Sequence, residues 1–220
     1  MTATHIVIAL NGVYQHEEDL LSLAREADGL VAADGGANWL VAHDLTPSLL
    51  VGDLDSVRPL LVADLRERGV TIEQHSPRKD ETDAELALLR AVEMGAMRIT
   101  LIGALGGRID HTLGNIGLLA LPSLEERDVA IYDGASWLRL IRGEIVLRGQ
   151  PGDTVSLIPW GGNAEGIVTE GLEYPLRGET LYLGPARGVS NVMTTSIARV
   201  TCCGGALLVI HTPQAQRRLS

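Results

Sequence analysis

Short aliphatic runs of strand length recur through the first half of the chain, and nearly every one stops at a cluster rich in Asp and Gly. Leu30-Val31-Ala32-Ala33 runs into Asp34-Gly35-Gly36-Ala37, and Leu49-Leu50-Val51 into Gly52-Asp53-Leu54-Asp55-Ser56. Thr71-Ile72-Glu73 leads to Lys79-Asp80-Glu81-Thr82-Asp83, and Ile99-Thr100-Leu101-Ile102 to Gly103 through His111. Between these runs the apolar spacing turns helical, as in Leu20, Leu21, Leu23, Ala24 and Ala27. The pattern predicts strands at 5–10, 30–33, 49–51, 71–75, 98–102 and 129–132. It predicts helices at 17–27, 37–43, 59–68, 83–95 and 113–121. Residues 1–10 read as a first buried strand. Such alternation means a mostly parallel sheet with helices on its faces.

The texture changes near Gly134. From Ser136 onward short β-rich runs (137–141, 144–147, 154–159, 166–169, 180–183, 196–201 and 206–211) alternate with turn signals such as Pro151-Gly152-Asp153 and Gly161-Gly162-Asn163. The expected organisation is an α/β domain over 1–134 followed by an all-β, sandwich-like domain over 135–220.

Composition narrows the function classes. The net charge of −10 argues against a general binder of nucleic acid or anionic membranes, which needs a basic face. No apolar run approaches the roughly 20 residues of a membrane span. The N-terminus lacks a basic region and a cleavage site, so no signal peptide is expected. Cys202 and Cys203 are adjacent, too close for an unstrained disulfide and too few for a structural zinc site. A reducing, cytoplasmic compartment is the expectation.

If the strands are parallel, all four polar clusters lie along one carboxyl edge, where open α/β sheets bind ligands. A row of Asp there, with Lys79 and Arg108, suits a divalent metal carrying a polyphosphate. Asp53 and Asp55, spaced i and i+2, would point the same way in extended backbone, roughly 6.5–7 Å apart. They suit two oxygen ligands on one Mg²⁺, or one ligand plus a water-mediated contact; the alternative is an ordinary Asp/Ser turn. Thr82-Asp83-Ala84-Glu85 is a capping box, which accounts for Thr82 and Glu85 without any function. It leaves Lys79, Asp80 and Asp83 unexplained, and a helix start keeps Asp83 ionised as a ligand must be. Gly106 and Gly107 let backbone N–H groups approach an anion, and Arg108 offers a bidentate grip on phosphate. Asp110 is either a ligand or merely the partner of Arg108, and His111 either a site residue or a helix start. Asp34 suits a ribose or a metal-bound water, although Asp34-Gly35-Gly36 also reads as a plain strand-to-helix turn. The chain has no G-x-x-x-x-G-K-[ST] loop, and no G-x-G-x-x-G after its first strand.

Four ordered motifs together resemble the thiamine pyrophosphokinase family: Asp34 to Asn38, Gly52 to Ser56, Lys79 to Glu85, and Gly106 to Asn115. Gly171-Leu172-Glu173-Tyr174-Pro175-Leu176 and Gly188-Val189-Ser190-Asn191 are similar to its C-terminal β-domain. Lys79, where eukaryotic members carry Gln, looks like the bacterial form. The resemblance implies transfer of a pyrophosphoryl group from ATP to thiamine, giving thiamine diphosphate and AMP. It implies Mg²⁺ on Asp53, Asp55 and Asp83, with Asp83 also orienting or deprotonating the hydroxyl. Lys79 and Arg108 would neutralise transition-state charge. Asp34, Gly35, Gly36, Ser56, Asp80, Thr82, Asp110, His111 and Asn115 would shape the nucleotide pocket, and Ser190 and Asn191 would meet thiamine. A homodimer with shared active sites is also implied. Two rivals are a pyrophosphokinase for another hydroxyalkyl heterocycle, such as a pterin, and a non-catalytic binder of thiamine diphosphate.

Overall fold

A computed structural model of the chain describes residues 4–214. Residues 1–3 of the expected first strand and 215–220 of the expected second domain lie outside the described residues. The chain divides into two compact units, Met1–Gly134 and Ala135–Ser220.

The first unit alternates strand and helix: β1 (His5–Ala9), α1 (Glu17–Glu26), β2 (Gly29–Ala33), α2 (Gly36–Ala42), β3 (Leu49–Gly52), α3 (Pro59–Glu67), β4 (Thr71–Gln74), α4 (Asp83–Glu93), β5 (Arg98–Ile102), α5 (Ile109–Leu118) and β6 (Asp128–Tyr132). Its strands pair in parallel in the order β6-β5-β1-β2-β3-β4. The central strands are aliphatic because both their faces are covered, and β1 is buried throughout. Helices α1 and α3 bury Leu20 and Ala24, and Leu61 and Leu65, while α4 buries Ala84, Ala87, Leu88 and Ala91. The helical spacing read from the sequence is therefore the spacing that packs. The capping expectation for α4 holds: the Thr82 hydroxyl accepts from the Glu85 N–H at 3.2 Å.

One helix departs from expectation. The run expected at 113–121 begins four residues earlier, at Ile109, and ends at Leu118. Arg108 is extended (φ −74°, ψ 126°) and serves as N-cap, while Asp110 in the first turn accepts the His111 N–H at 3.0 Å. The polar residues read as loop are thus the helix's own first turn, where a carboxylate is favourable. At the other end Pro122 forces Leu121 out of helical geometry (φ −58°, ψ 130°).

The second unit is all antiparallel: β7 (Trp137–Ile141), β8 (Glu144–Arg148), β9 (Thr154–Pro159), β10 (Ala164–Glu170), β11 (Arg177–Leu181), β12 (Asn191–Val192), β13 (Ile197–Thr201) and β14 (Leu207–Thr212). Strands β12-β9-β14-β7 form one layer and β11-β10-β13-β8 the other. Alternate residues turn inward, and Val155, Leu157, Leu207 and Val209 meet Leu147, Ile167, Ala198 and Val200 in one aliphatic core. The expected sandwich is what forms. Strand β12 was not expected, since two residues carry no periodicity. Among the described residues no helix is long and apolar enough to cross a membrane.

Candidate active site

Strand order reverses at β1: the chain lays β2, β3 and β4 on one side of it, then β5 and β6 on the other. Ligand crevices form at such switch points, beyond the carboxyl ends of the strands. Asp34 follows β2, Asp53 follows β3, and Asp83 opens α4. These three carboxylates converge, with one oxygen from each within 4.8 Å of the others. Asp34 is only 7% exposed and sits in the left-handed region (φ 45°). Its N–H donates to Val51 O at 2.9 Å, and its Oδ1 accepts from the Ser56 N–H at 3.3 Å. Burial raises its pKa, and the charge of Asp83 adds to the rise, against the lowering effect of hydrogen bonds from Ser56 and Gly35. Three crowded oxygen donors, one of them buried, are a fitting donor set for a hard divalent cation.

Gly52 makes the convergence possible. A Cβ there would lie 3.1 Å from both Asp34 Cβ and Asp83 Cγ, and the residue has φ 149°. Gly36 is held by backbone, since a Cβ would meet Ala9 O at 2.0 Å, while at Gly35 a Cβ would meet the end of the Asn11 side chain at 2.3 Å. The Lys79 ammonium donates to Asp83 Oδ1 at 2.6 Å, with side-chain exposures of 14% and 25%. It brings positive charge to a cluster that otherwise repels itself.

The expected geometry of Asp53 and Asp55 does not occur. Leu54 has φ 67°, so the backbone turns where an extended strand would have aligned the two carboxylates. Asp53 joins the cluster, whereas Asp55 is exposed, its carboxylate accepting from the Ser56 hydroxyl at 2.8 Å. Asp34 stands in the converging set instead. Sequence reasoning also gave no role to Asn38, whose Nδ2 donates to Ser56 O at 2.8 Å while its Oδ1 accepts from the Arg58 N–H at 3.3 Å. That amide ties α2 to the loop carrying Asp53 and Asp55. An Asn just after a Gly-Gly helix start was the available signal for it.

At the carboxyl end of β5, Gly106 and Gly107 have φ 79° and 68°. Arg108 and Asp110 bond each other twice, Nε to Oδ1 at 3.1 Å and Nη2 to Oδ2 at 2.5 Å. This contact pulls the exposed Asp110 carboxyl down to about 2. His111 is exposed. Asn115 donates to Ala104 O at 2.7 Å, fastening α5 to the loop after β5. Thr82 is the α4 cap described above, and Asp80 lies exposed on the approach to it.

In the second unit, Ser190 is exposed and left-handed (φ 63°), and its N–H donates to the Ser156 hydroxyl at 3.0 Å. Asn191 is 8% exposed and its amide is occupied by backbone. Its Oδ1 accepts from the N–H of Tyr174 (3.0 Å) and of Val192 (2.9 Å), and its Nδ2 donates to Tyr174 O at 2.7 Å. Asn191 therefore holds the segment that presents the exposed Tyr174 ring.

Comparison with known proteins covers both units. Residues 20–132 match the family model "Thiamin pyrophosphokinase, catalytic domain", and residues 144–207 match "Thiamin pyrophosphokinase, vitamin B1 binding domain". Thiamine pyrophosphokinase 1 of Oryza sativa subsp. japonica is 31% identical over 196 residues, covering 78% of this chain and 74% of the relative. Thiamine pyrophosphokinase of Bacillus subtilis is 26% identical over 196 residues, covering 88% of this chain and 92% of the relative. The crystal structure of thiamine pyrophosphokinase from Bacillus subtilis superposes with a TM-score of 0.84 at 25% identity, covering 96% of this chain and 99% of that one. With both units matched in order, and with the acidic crevice falling inside the catalytic match, the chain belongs to the thiamin pyrophosphokinase family.

Proposed function

We infer that this protein is a thiamine diphosphokinase: it transfers the pyrophosphoryl group of ATP to the hydroxyl of thiamine, releasing AMP. The observation that carries the reading is the meeting of Asp34, Asp53 and Asp83 at the carboxyl edge of a parallel sheet, in a chain whose other unit matches a vitamin B1 binding domain. Asp34, Asp53 and Asp83 would hold Mg²⁺, which would supply charge neutralisation for the phosphates. Asp55 is assigned a water-mediated contact to the same ion. Lys79, already beside Asp83, supplies fixed positive charge where phosphate charge builds up. Arg108 exchanges Asp110 for a phosphate oxygen, and the backbone after Gly106 supports it. Asp83, at the start of α4, orients the acceptor hydroxyl and takes its proton. Asp34, Gly35, Gly36, Ser56, Asp80, Thr82, His111 and Asn115 frame the nucleotide, with Ser190 and the segment held by Asn191 on the acceptor.

A homodimer with shared active sites belongs to this reading, on the strength of the family resemblance alone. So does a cytoplasmic location, which the two free cysteines support. The test is calorimetric titration with ATP, with and without Mg²⁺, followed by addition of thiamine. Mg²⁺-dependent ATP binding and thiamine-dependent ATP consumption are expected. Tight binding of thiamine diphosphate with no ATP consumption would make the protein a binder instead.

A further inference from the structure

A buried hydrogen-bonded Asp–His pair lies in the β-rich unit, among residues given no role above. Asp153 is 1% exposed and His211 8%. Three donors converge on the Asp153 carboxylate. His211 Nε2 and the Gln150 N–H each lie 3.0 Å from Oδ2, and the Gln214 N–H donates to Oδ1 at 2.8 Å. An ionised carboxylate only accepts, so the His211 tautomer is fixed with its proton on Nε2. The packing around the pair leaves no slack: a Cβ on Gly149 would lie 2.2 Å from Asp153 Oδ2 and 3.0 Å from His211 Nε2.

The backbone of this same residue carries the chain that leaves Ser190. Asp153 O accepts from the Met193 N–H at 2.8 Å, and the Gly152 N–H donates to Met193 O at 2.9 Å. One step on, Val192 pairs with Thr154 and Asn191 with Val155, and the Ser190 N–H ends on the Ser156 hydroxyl. Strand β12 has only two residues. It pairs with β9 on one side, and on the other the Glu173 N–H donates to Val192 O and the Thr194 N–H to Gly171 O, each at 2.9 Å. Ser190 is moreover held in a left-handed conformation that a free Ser rarely adopts. On the β9 side of this segment the buried anchor is Asp153, held in turn by His211 on β14 together with the Gln150 and Gln214 amides.

We propose that Asp153 and His211 form a positioning pair for the acceptor substrate: by locking Asp153 they set the register of the segment from Ser190 to Met193, and through it the affinity for thiamine rather than for ATP. The proposal rests on the assignment of Ser190 to the acceptor. It predicts a split that a general stabilising role would not give, because ATP is bound by residues of the other unit.

The test compares Asp153→Asn, His211→Leu and His211→Gln in the full chain, with Ser190→Ala as reference. Each is checked for native circular dichroism and assayed by varying thiamine at saturating ATP, then ATP at saturating thiamine. Asp153→Asn and His211→Leu should raise KM for thiamine by about tenfold and leave KM for ATP within about twofold. His211→Gln keeps an N–H donor facing Asp153 and should bring the thiamine KM back toward wild type. Equal loss toward both substrates, an unchanged thiamine KM, or failure of the variants to fold would reduce the pair to a structural role and overturn the proposal. If Ser190→Ala leaves the thiamine KM unchanged, the acceptor assignment itself is wrong, and the proposal falls with it.

Discussion

Lys79 and Asp83 face each other across the entrance of helix α4, ammonium to carboxylate at 2.6 Å. The lysine comes from the loop before the Thr82 cap and the aspartate from the first helical position. The Asp83 carboxylate thus lies beside a fixed cation while converging with the two other carboxylates of the crevice. In the proposed function, Asp83 would serve both Lys79 and Mg²⁺, and Lys79 would supply positive charge for the phosphates.

Lys79→Met should therefore lower kcat by about 10²-fold, the usual loss when a fixed charge aimed at a transition state is removed. The Mg²⁺ concentration giving half-maximal rate should not rise, because a competitor for Asp83 has gone. Steady-state rates across a Mg²⁺ series measure both quantities. An unchanged kcat would remove Lys79 from the chemistry.

Gly52 provides a test of the carboxylate geometry that touches no charge. Gly52→Ala puts a methyl group against Asp34 and Asp83, at a φ that L residues rarely adopt. A stability loss of about 1–3 kcal/mol is expected from the backbone. Displacement of the carboxylates should cost about 10²-fold in kcat/KM. Denaturant melts and kinetics on the same preparation separate the two effects, and full activity would mean that the convergence of Asp34 and Asp83 is dispensable.

Much of this arrangement is legible in the sequence, for physical reasons. Buried parallel strands must be aliphatic, so the alternation of short runs with helical stripes gives the sheet, and the Asp-Gly clusters mark its carboxyl edge. Thr82 and Glu85 announce the start of α4 through the capping pattern. What escapes is set by single backbone angles and by partners distant in sequence. Nothing in Asp-Leu-Asp indicates that Leu54 turns left-handed and leaves Asp55 exposed, outside the set that Asp53 joins. Nothing near Asn191 reveals that its amide is occupied by Tyr174, 17 residues away. The early start of α5 was hidden because its first turn is polar, as first turns often are.

His5 gives the fold a pH dependence independent of catalysis. Its ring is buried, with Nε2 3.0 Å from the Thr100 hydroxyl. Its pKa is lowered from 6.5, chiefly by burial and then by Arg98, against the opposite pull of Asp28 and Asp128. The fold prefers the neutral ring, so this contribution is complete above the unfolded value of 6.5 and is lost as the pH falls toward the lower folded value. Wild type should lose more thermal stability than His5→Gln between about pH 7.5 and about pH 5. Equal losses in the two proteins would show that His5 does not contribute.

The shared-site dimer is tested by complementation. Asp83→Ala and Asn191→Ala each damage one kind of contact. When subunits exchange at random, half the dimers are mixed, and each mixed dimer carries one intact composite site. Activity should return to roughly a quarter of wild type. Demonstrated exchange without recovery would mean that each site is built within one subunit.

The central claim is that both outer phosphates of ATP move together onto thiamine. Its most direct test is a thiamine-dependent turnover in Mg²⁺ with ATP labelled separately at the α- and γ-phosphorus, followed by separation of products. The expected result is γ-label in thiamine diphosphate and α-label in AMP, appearing in equal amounts. ADP carrying the α-label, formed together with γ-labelled thiamine monophosphate, would contradict it.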